Sequence, residues 1–300
     1  MKDIIVQFSG GKDSLDSLIW AVKTYGVNRV RAVFCDTEWE HILLYPYIEQ
    51  TCKSLGVELT IIKGEFSFLE LAKKKKRFPS TKARFCTEWL KVRPFIDWLL
   101  QQKHHTVIIQ GIRADESLSR SKMSPHCTFF KYYKQPYGHD KHGKPKYYTY
   151  RKDEVLQYDE LYEPEIERPV FDKTAVEVIN SILDNGFKPA PLYYGGAGRV
   201  GCFVCIMITR YELFKMLENF PEIEQKLIDA EAYVCSSFFP PGYIPDRYCS
   251  KSKLNKKGVL VYYPTAQDVF AYIRMKNAQG DLFPEPNTNK SCMTAFNICE

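Results

Sequence analysis

The chain lacks any apolar run approaching the length of a membrane span, so no segment reads as crossing a bilayer. Nothing at its start reads as a secretory signal, because Ile4-Ile5-Val6 is too short for an apolar h-region and a helix-capable segment follows at once. Internal repeats and low-complexity tracts are missing as well. There is no large charge of one sign. The formal net charge of +6 permits an anionic ligand or a nucleic acid and requires neither. Ten cysteines spread over 300 residues do not make a disulfide framework, and in a reducing cytosol cysteine clusters more often mean metal or thiol chemistry. The Walker-A spacing, with four residues between Gly and Gly-Lys, is also absent. What is present is an ordinary globular composition, 45% hydrophobic and 26% charged, enough for one large domain or two modest ones. The expected location is the cytoplasm.

The first half alternates strand and helix patterns. Ile4–Phe8 is a short apolar run ending in Ser-Gly-Gly, and Asp13–Tyr25 then carries helical spacing at Leu15, Leu18, Ile19 and Val22. Val30–Phe34, Glu58–Ile62 and Val107–Gln110 read as strands, and Ile42–Leu55 and Phe95–Gln102 as helices. Such alternation predicts a parallel sheet with helices on both faces. Ligands of such sheets sit beyond the carboxyl ends of the strands. Three segments fall there: Ser9–Ser14, Cys35-Asp36-Thr37 and Gly111-Ile112-Arg113. Residues 118–168 break the pattern with a Lys/Tyr-rich stretch that reads as an insertion or hairpin arm. Helices are expected again from Thr174 to about Asn185, over 207–235, and at Ala266–Lys276. The expected division is 1–117, a nucleotide-binding core; 118–168, the arm; and 169–300, a mainly helical cysteine-containing region.

Ser9-Gly10-Gly11-Lys12-Asp13-Ser14 has the chemistry of a phosphate loop. Two glycines allow a tight turn that exposes backbone N–H groups, and the following helix adds its positive end. Ser9 and Ser14 supply hydroxyls, Lys12 a point charge, and Asp13 either a helix cap or a ligand for a divalent cation. The bland alternative is a strand-to-helix turn with an incidental lysine.

This hexapeptide is similar to the PP-loop signature of the adenine nucleotide α-hydrolase-like superfamily, and further motifs resemble its phosphoadenosine phosphosulfate (PAPS) reductase branch. Phe34-Cys35-Asp36-Thr37, Arg84-Phe85-Cys86-Thr87 with Leu90-Lys91 and Pro94, and Gly111-Ile112-Arg113-Ala114-Asp115-Glu116-Ser117 with Arg120 follow the family order. So does Pro169 to Cys205, with Asn185-Gly186, Pro191-Leu192-Tyr193 and Gly201-Cys202-Phe203-Val204-Cys205. The resemblance covers about residues 1–220, the arm excepted. It implies a Rossmann-like fold binding an adenine nucleotide through Ser9, Gly10, Gly11, Lys12, Asp13, Ser14, Asp36, Thr37, Gly111 and Arg113.

In iron–sulfur members of this family two adjacent cysteines join a CxxC pair around a four-iron cluster. Here Thr87 replaces one of them, so the resemblance implies Cys86, Cys202 and Cys205 as ligands and leaves the fourth open. Cys127, Cys235 or Cys249 could complete the set, or one iron could lack a protein ligand. Zinc, with His126, is a further alternative. Taken alone, Cys202 and Cys205 are equally well read as buried small hydrophobes.

Arg113, just past a strand end, suits a phosphate or sulfate clamp; Arg120, Lys91 and Arg93 are weaker candidates. Lys73 to Arg77 reads as a solvated basic run. The arm mixes lysines with tyrosines, which suits either a DNA or tRNA acceptor or a hairpin packed on the body. Cys299 lies in a tail that does not match the Glu-Cys-Gly-x-His ending of the assimilatory PAPS reductases. Three functions compete. The first is attack on the α-phosphate of Mg²⁺-bound ATP with release of pyrophosphate, coupled to sulfur transfer from a donor or reductant protein; Lys12, Asp13 and Arg113 would be catalytic. The second is thiol-dependent reduction of PAPS or adenylylsulfate to sulfite. The third is a nucleotide-sensing module without catalysis. Lys12 favours the first. A motif-level similarity to a PP-loop enzyme of DNA phosphorothioation keeps a nucleic-acid acceptor in view.

Overall fold

The computed structural model describes residues 2–255 and 257–278. In chain order the elements are β1 (Asp3–Gln7), α1 (Lys12–Tyr25), β2 (Val30–Asp36), α2 (Leu44–Leu55), β3 (Glu58–Lys63), α3 (Phe68–Lys74), α4 (Phe85–Thr87), α5 (Arg93–Leu99) and β4 (Thr106–Gln110). There follow β5 (His126–Thr128), α6 (Lys131–Lys134), β6 (Gly138–His139), β7 (Pro145–Lys146), α7 (Lys152–Tyr162), β8 (Glu165–Glu167) and α8 (Ala175–Asp184). The last are α9 (Pro191–Tyr194), α10 (Arg210–Asn219), α11 (Glu222–Val234), β9 (Lys251–Leu254), β10 (Leu260–Tyr263) and α12 (Ala266–Ala278). Two compact units result. The first holds residues up to Asp36, Ile42–Gly64 and Lys91–Ala190; the second holds Thr37–His41, Glu65–Leu90 and the described residues from Pro191 onward.

The first unit is a Rossmann-like α/β layer structure. Its sheet runs β3-β2-β1-β4-β8-β5, with every neighbouring pair parallel except β8 and β5. In the central strand Ile4 aligns with Val30 on one side and Val107 on the other. The unbroken apolar run Ile4–Val6 is fully buried, as expected where helices cover both faces of a parallel sheet. Ile5, Val33 and Ile108 pack with Phe95, Ile96 and Leu99 of α5 and with Val155 and Tyr158 of α7. α1 packs against β1, β2, β4 and α8. Its predicted stripe of Leu15, Leu18 and Ile19 is the buried face, and Gly26 at φ 83 follows its end. α8 opens on a reciprocal cap between Thr174 and Glu177. It is tied to α1 through Asp16, which accepts hydrogen bonds from Lys173 at 2.7 Å and Ser181 at 2.6 Å.

Patterning missed β5, α7 and β8, all inside residues 118–168. Three-residue strands carry too few positions to show a period, and the Lys/Tyr composition around them masks it. Within that stretch β6 and β7 form a two-stranded hairpin.

The second unit is mainly helical. α11 packs on α3, α10 and α12 around Leu213, Ile223, Leu227, Val269 and Phe270, and β9 and β10 add an antiparallel hairpin. The run expected to be helical over 207–235 is two helices, divided at Pro221.

Candidate functional site

Between β1 and β4 the chain reverses its direction across the sheet, because β2 and β3 extend one way and β4 and β8 the other. Loops leaving the two strands open a crevice at such a point. Gly10 turns the first loop at φ +76, and a Cβ there would lie 2.6 Å from Leu44 Cδ1. Gly111, directly after β4, is tighter still. A Cβ there would stand 2.5 Å from backbone atoms of Asp13 and Ser14, so only glycine lets the first turn of α1 lie against the exit of β4.

The loop is held by its own hydroxyls. Ser14 donates to the Gly11 carbonyl at 2.9 Å and accepts from the Ser9 N–H at 3.2 Å, and the Ser9 hydroxyl stands 3.3 Å away. Gly11 caps α1 without a side-chain acceptor, so the first-turn amides at the positive helix end present a site for an anion. Lys12 and Arg113 are both buried. Asp13 joins them: Lys12 Nζ is 3.5 Å from one carboxylate oxygen, and Arg113 Nε donates to the other at 2.6 Å. Arg113 Nη1 also bonds Asp115 at 2.5 Å, and the Arg113 N–H reaches Glu116 at 3.3 Å. Asp13 therefore orients two cations at the loop. Buried Asp36, at the end of β2, accepts from Tyr45 at 2.9 Å and pairs with Lys63 at 3.3 Å.

Sequence reasoning passed over a polar chain across the same strand ends. Gln110 donates to Gln7 at 3.0 Å, and Arg168, just past β8, donates to Gln110 at 2.9 Å. The available signal was a glutamine closing each of two apolar strands.

Thr37 and the CxxC segment belong to the second unit. Residues 201–205 are pinned to residues 37–41: Phe203 N–H donates to the Trp39 carbonyl at 2.7 Å, and the Trp39 indole donates to the Val204 carbonyl at 3.0 Å. Buried Glu40 accepts from the Thr37 hydroxyl at 2.7 Å and from the Thr37 and Trp39 amides at 3.1 Å each. Cys202 Sγ lies 3.9 Å from the Thr37 hydroxyl. Lys226 sits over the Trp39 ring at 4.2 Å; burial pulls its ammonium below the usual lysine range, and the charges of Glu40, Cys202 and Glu222 oppose that shift. Neither Glu40 nor Lys226 stood out in the sequence.

A four-iron cluster or a zinc ion needs three or four ligating side chains converging on one point. Among the described residues no group of three or more His, Cys, Asp or Glu side chains is placed to hold a metal ion. Cys86 and Cys202 pack against the same apolar cluster, and the Cys205 carbonyl accepts from the Ile208 N–H at 3.0 Å. Of the proposed fourth ligands, Cys127 lies in β5 with its sulfur 3.6 Å from Arg168, Cys235 is exposed at the end of α11, and Cys249 lies 3.9 Å from the Pro245 carbonyl. His126 stands 3.9 Å from Glu167. Among the described residues, the iron–sulfur or zinc site expected from the sequence is therefore not supported. Cys292 and Cys299 lie outside the described residues.

No helix among the described residues is long and apolar enough to cross a membrane. A 37.8 kDa uncharacterized protein of Escherichia phage 186 is 28% identical, with 99% of this chain and 96% of the relative covered. An uncharacterized protein of Methanocaldococcus jannaschii is 27% identical over 75% of this chain, which spans only 40% of that relative. Among solved structures, the PAPS reductase of Candida auris in a phosphate complex matches 68% of this chain and 83% of its own, at 15% identity and a TM-score of 0.46. The family model of the phosphoadenosine phosphosulfate reductase domain matches residues 3–208, which takes in the phosphate loop, Asp36, Gly111, Arg113 and the CxxC segment, and the chain belongs to that family.

Proposed function

We propose that the chain binds ATP at the Ser9–Ser14 loop and catalyses attack on its α-phosphorus. An acceptor oxygen forms a bond to that phosphorus, the bond to the bridging oxygen breaks, and pyrophosphate leaves with the electron pair. The terminal sulfur of a donor-protein persulfide then attacks the adenylated acceptor and displaces AMP, and a thiol reductant cleaves the remaining S–S bond, leaving the sulfur on the acceptor and the donor as a thiol or mixed disulfide. Mg²⁺ enters with the nucleotide.

The observation that carries this reading is buried Lys12 at the uncapped start of α1. A cation and oriented amides in a water-poor crevice stabilise charge growing on a departing pyrophosphate without reorganising. Asp13 fixes Lys12 and Arg113 relative to each other, and the hydroxyl contacts of Ser9 and Ser14 fix the shape of the loop. Asp36 and Gly111 border the same strand ends, Gly111 by letting α1 approach.

The family match favours a second reading, thiol-dependent reduction of PAPS or adenylylsulfate to sulfite. One experiment separates the two. The protein is incubated with MgATP and a persulfide donor, with and without DNA or tRNA, and pyrophosphate is measured. A parallel sample receives PAPS and a dithiol, and sulfite is measured. Pyrophosphate release that depends on an acceptor supports the first reading. Sulfite formation with no pyrophosphate release under any condition overturns it.

A further inference from the structure

The arm separates its aromatic residues into two sets. Tyr133 is buried and donates to the Tyr150 carbonyl at 2.8 Å, while the Tyr150 hydroxyl donates to Asp97 at 2.8 Å. Burial pushes the Tyr133 phenol up to about 12. These two rings belong to the fold. Tyr132, Tyr137, Tyr147 and Tyr148 are instead 36–48% exposed. Three of them form one cluster, in which Tyr137 and Tyr148 lie 4.9 Å apart at 33° and Tyr132 meets each of them edge-on.

The cations divide in the same way. Lys134 pairs with Asp159, and Arg151 is held by Asp97 and Glu154. Lys131, Lys141, Lys144 and Lys146 make no ion pair among the described residues; the last three lie in the β6–β7 hairpin, and Lys131 opens α6. Residues 131–152 contain seven Lys and Arg against one acid, Asp140. Asp140 accepts from the His142 and Lys144 backbone at 2.8 and 2.9 Å, which fixes the turn and holds its carboxyl below the usual range. In the basic run at Lys73–Lys75 all three ammonium groups sit over aromatic rings, those of Tyr233, Phe66 and Trp89, whereas in the arm, among the described residues, Lys131 alone of the four stands over a ring, that of Tyr132 at 5.9 Å.

We infer that the arm is a binding surface for single-stranded nucleic acid. The half-exposed rings of Tyr132, Tyr137 and Tyr148 offer aromatic surface against which unpaired bases stack, and the lysines of the arm match a phosphate backbone. A duplex hides its base faces and would use the lysines alone. The inference does not depend on the chemistry proposed at the Ser9–Ser14 loop, so pyrophosphate release and the binding measured here can fail separately.

The test is fluorescence anisotropy of a labelled 20-mer oligothymidylate with the full chain. Saturable binding is expected at 50 mM salt. Four lysine–phosphate contacts predict a loss of about 50-fold on going to 200 mM salt. Tyr137→Ala with Tyr148→Ala should weaken binding by about tenfold or more without changing the salt dependence. Lys141→Glu with Lys144→Glu should flatten the salt dependence. Melting temperatures establish that the variants are folded, and Tyr132→Ala alone serves if the double variant is not. Absence of saturable binding, an inert tyrosine variant, equal affinity for duplex, or arm-dependent binding to phosphatidylserine vesicles in place of the oligonucleotide would each overturn the inference.

Discussion

Gly111 and Lys12 act on the same loop through different physics, and substitution should separate them. A methyl group at Gly111 would meet backbone atoms of Asp13 and Ser14, which cannot rotate away as a side-chain tip could. Gly111→Ala should therefore displace α1 from β4, costing about 1–3 kcal/mol of stability along with nucleotide affinity. A urea denaturation midpoint and an ATP titration on the same preparation check both. Lys12→Ala leaves Asp13 paired with Arg113, so the fold should hold while acceptor-dependent pyrophosphate release falls by about 100-fold. An unchanged rate in a folded Lys12→Ala protein would remove the lysine from the chemistry. The loop was legible in the sequence because its parts are contiguous: turn, cation, hydroxyls and helix start lie within six residues. Gln7, Gln110 and Arg168, or Glu40 and Lys226, become partners only when distant segments meet. Beyond the glutamine that closes each of two apolar strands, a single sequence shows no signal for such meetings.

At the scale of elements, legibility follows length and surroundings, since even the eleven-residue α7 was masked by the Lys/Tyr stretch before it. α1 and α2 carry enough turns for their buried stripe to show, and a glycine, Gly26 or Gly56, follows each. β5 and β8 are three residues each and were invisible, although they extend the main sheet. α10 yields a pH prediction. Its Glu212 follows the Thr209 cap and accepts from the Gly198 N–H at 2.8 Å, and burial raises its carboxyl above the ordinary 4.5 despite that bond. A raised carboxyl in the folded state means that folding favours the protonated form. Its contribution to stability is complete below 4.5 and is lost as pH rises through the raised value. Glu212→Gln retains an oxygen for Gly198 and cannot ionise. Urea midpoints of the variant should fall less than those of the wild type between pH 4.5 and neutrality. Parallel curves for the two proteins would show that Glu212 does not set this slope.

At the scale of the whole molecule, the alternation of strands and helices implied the parallel sheet, but not the path of the chain. Residues 37–41 and 65–90 leave the first unit and join the second, and short excursions of that kind carry no change of composition to mark them. The cysteine segment suffered most from this. CxxC spacing suggested a metal site, yet its tertiary surroundings are Thr37, Trp39 and Glu40, and no ligand group forms among the described residues. The proposed nucleotide site, lying at one reversal of one sheet, gives a prediction for the molecule as a thermodynamic whole. A ligand that binds only the folded chain stabilises it by about 2.7 kcal/mol at a hundred times its Kd. For a protein of this size that corresponds to a rise in Tm of roughly 5 °C. MgATP should produce this rise in the wild type. The rise should largely vanish in Lys12→Ala, whose ligand-free Tm should stay close to that of the parent. The same scan with PAPS bears on the choice of nucleotide, since the proposed reaction assigns Lys12 and the uncapped start of α1 to the pyrophosphate that leaves ATP. ATP should therefore shift the transition at lower concentration than PAPS. The opposite order would move the site's preference to the sulfonucleotide and favour reduction over adenylation.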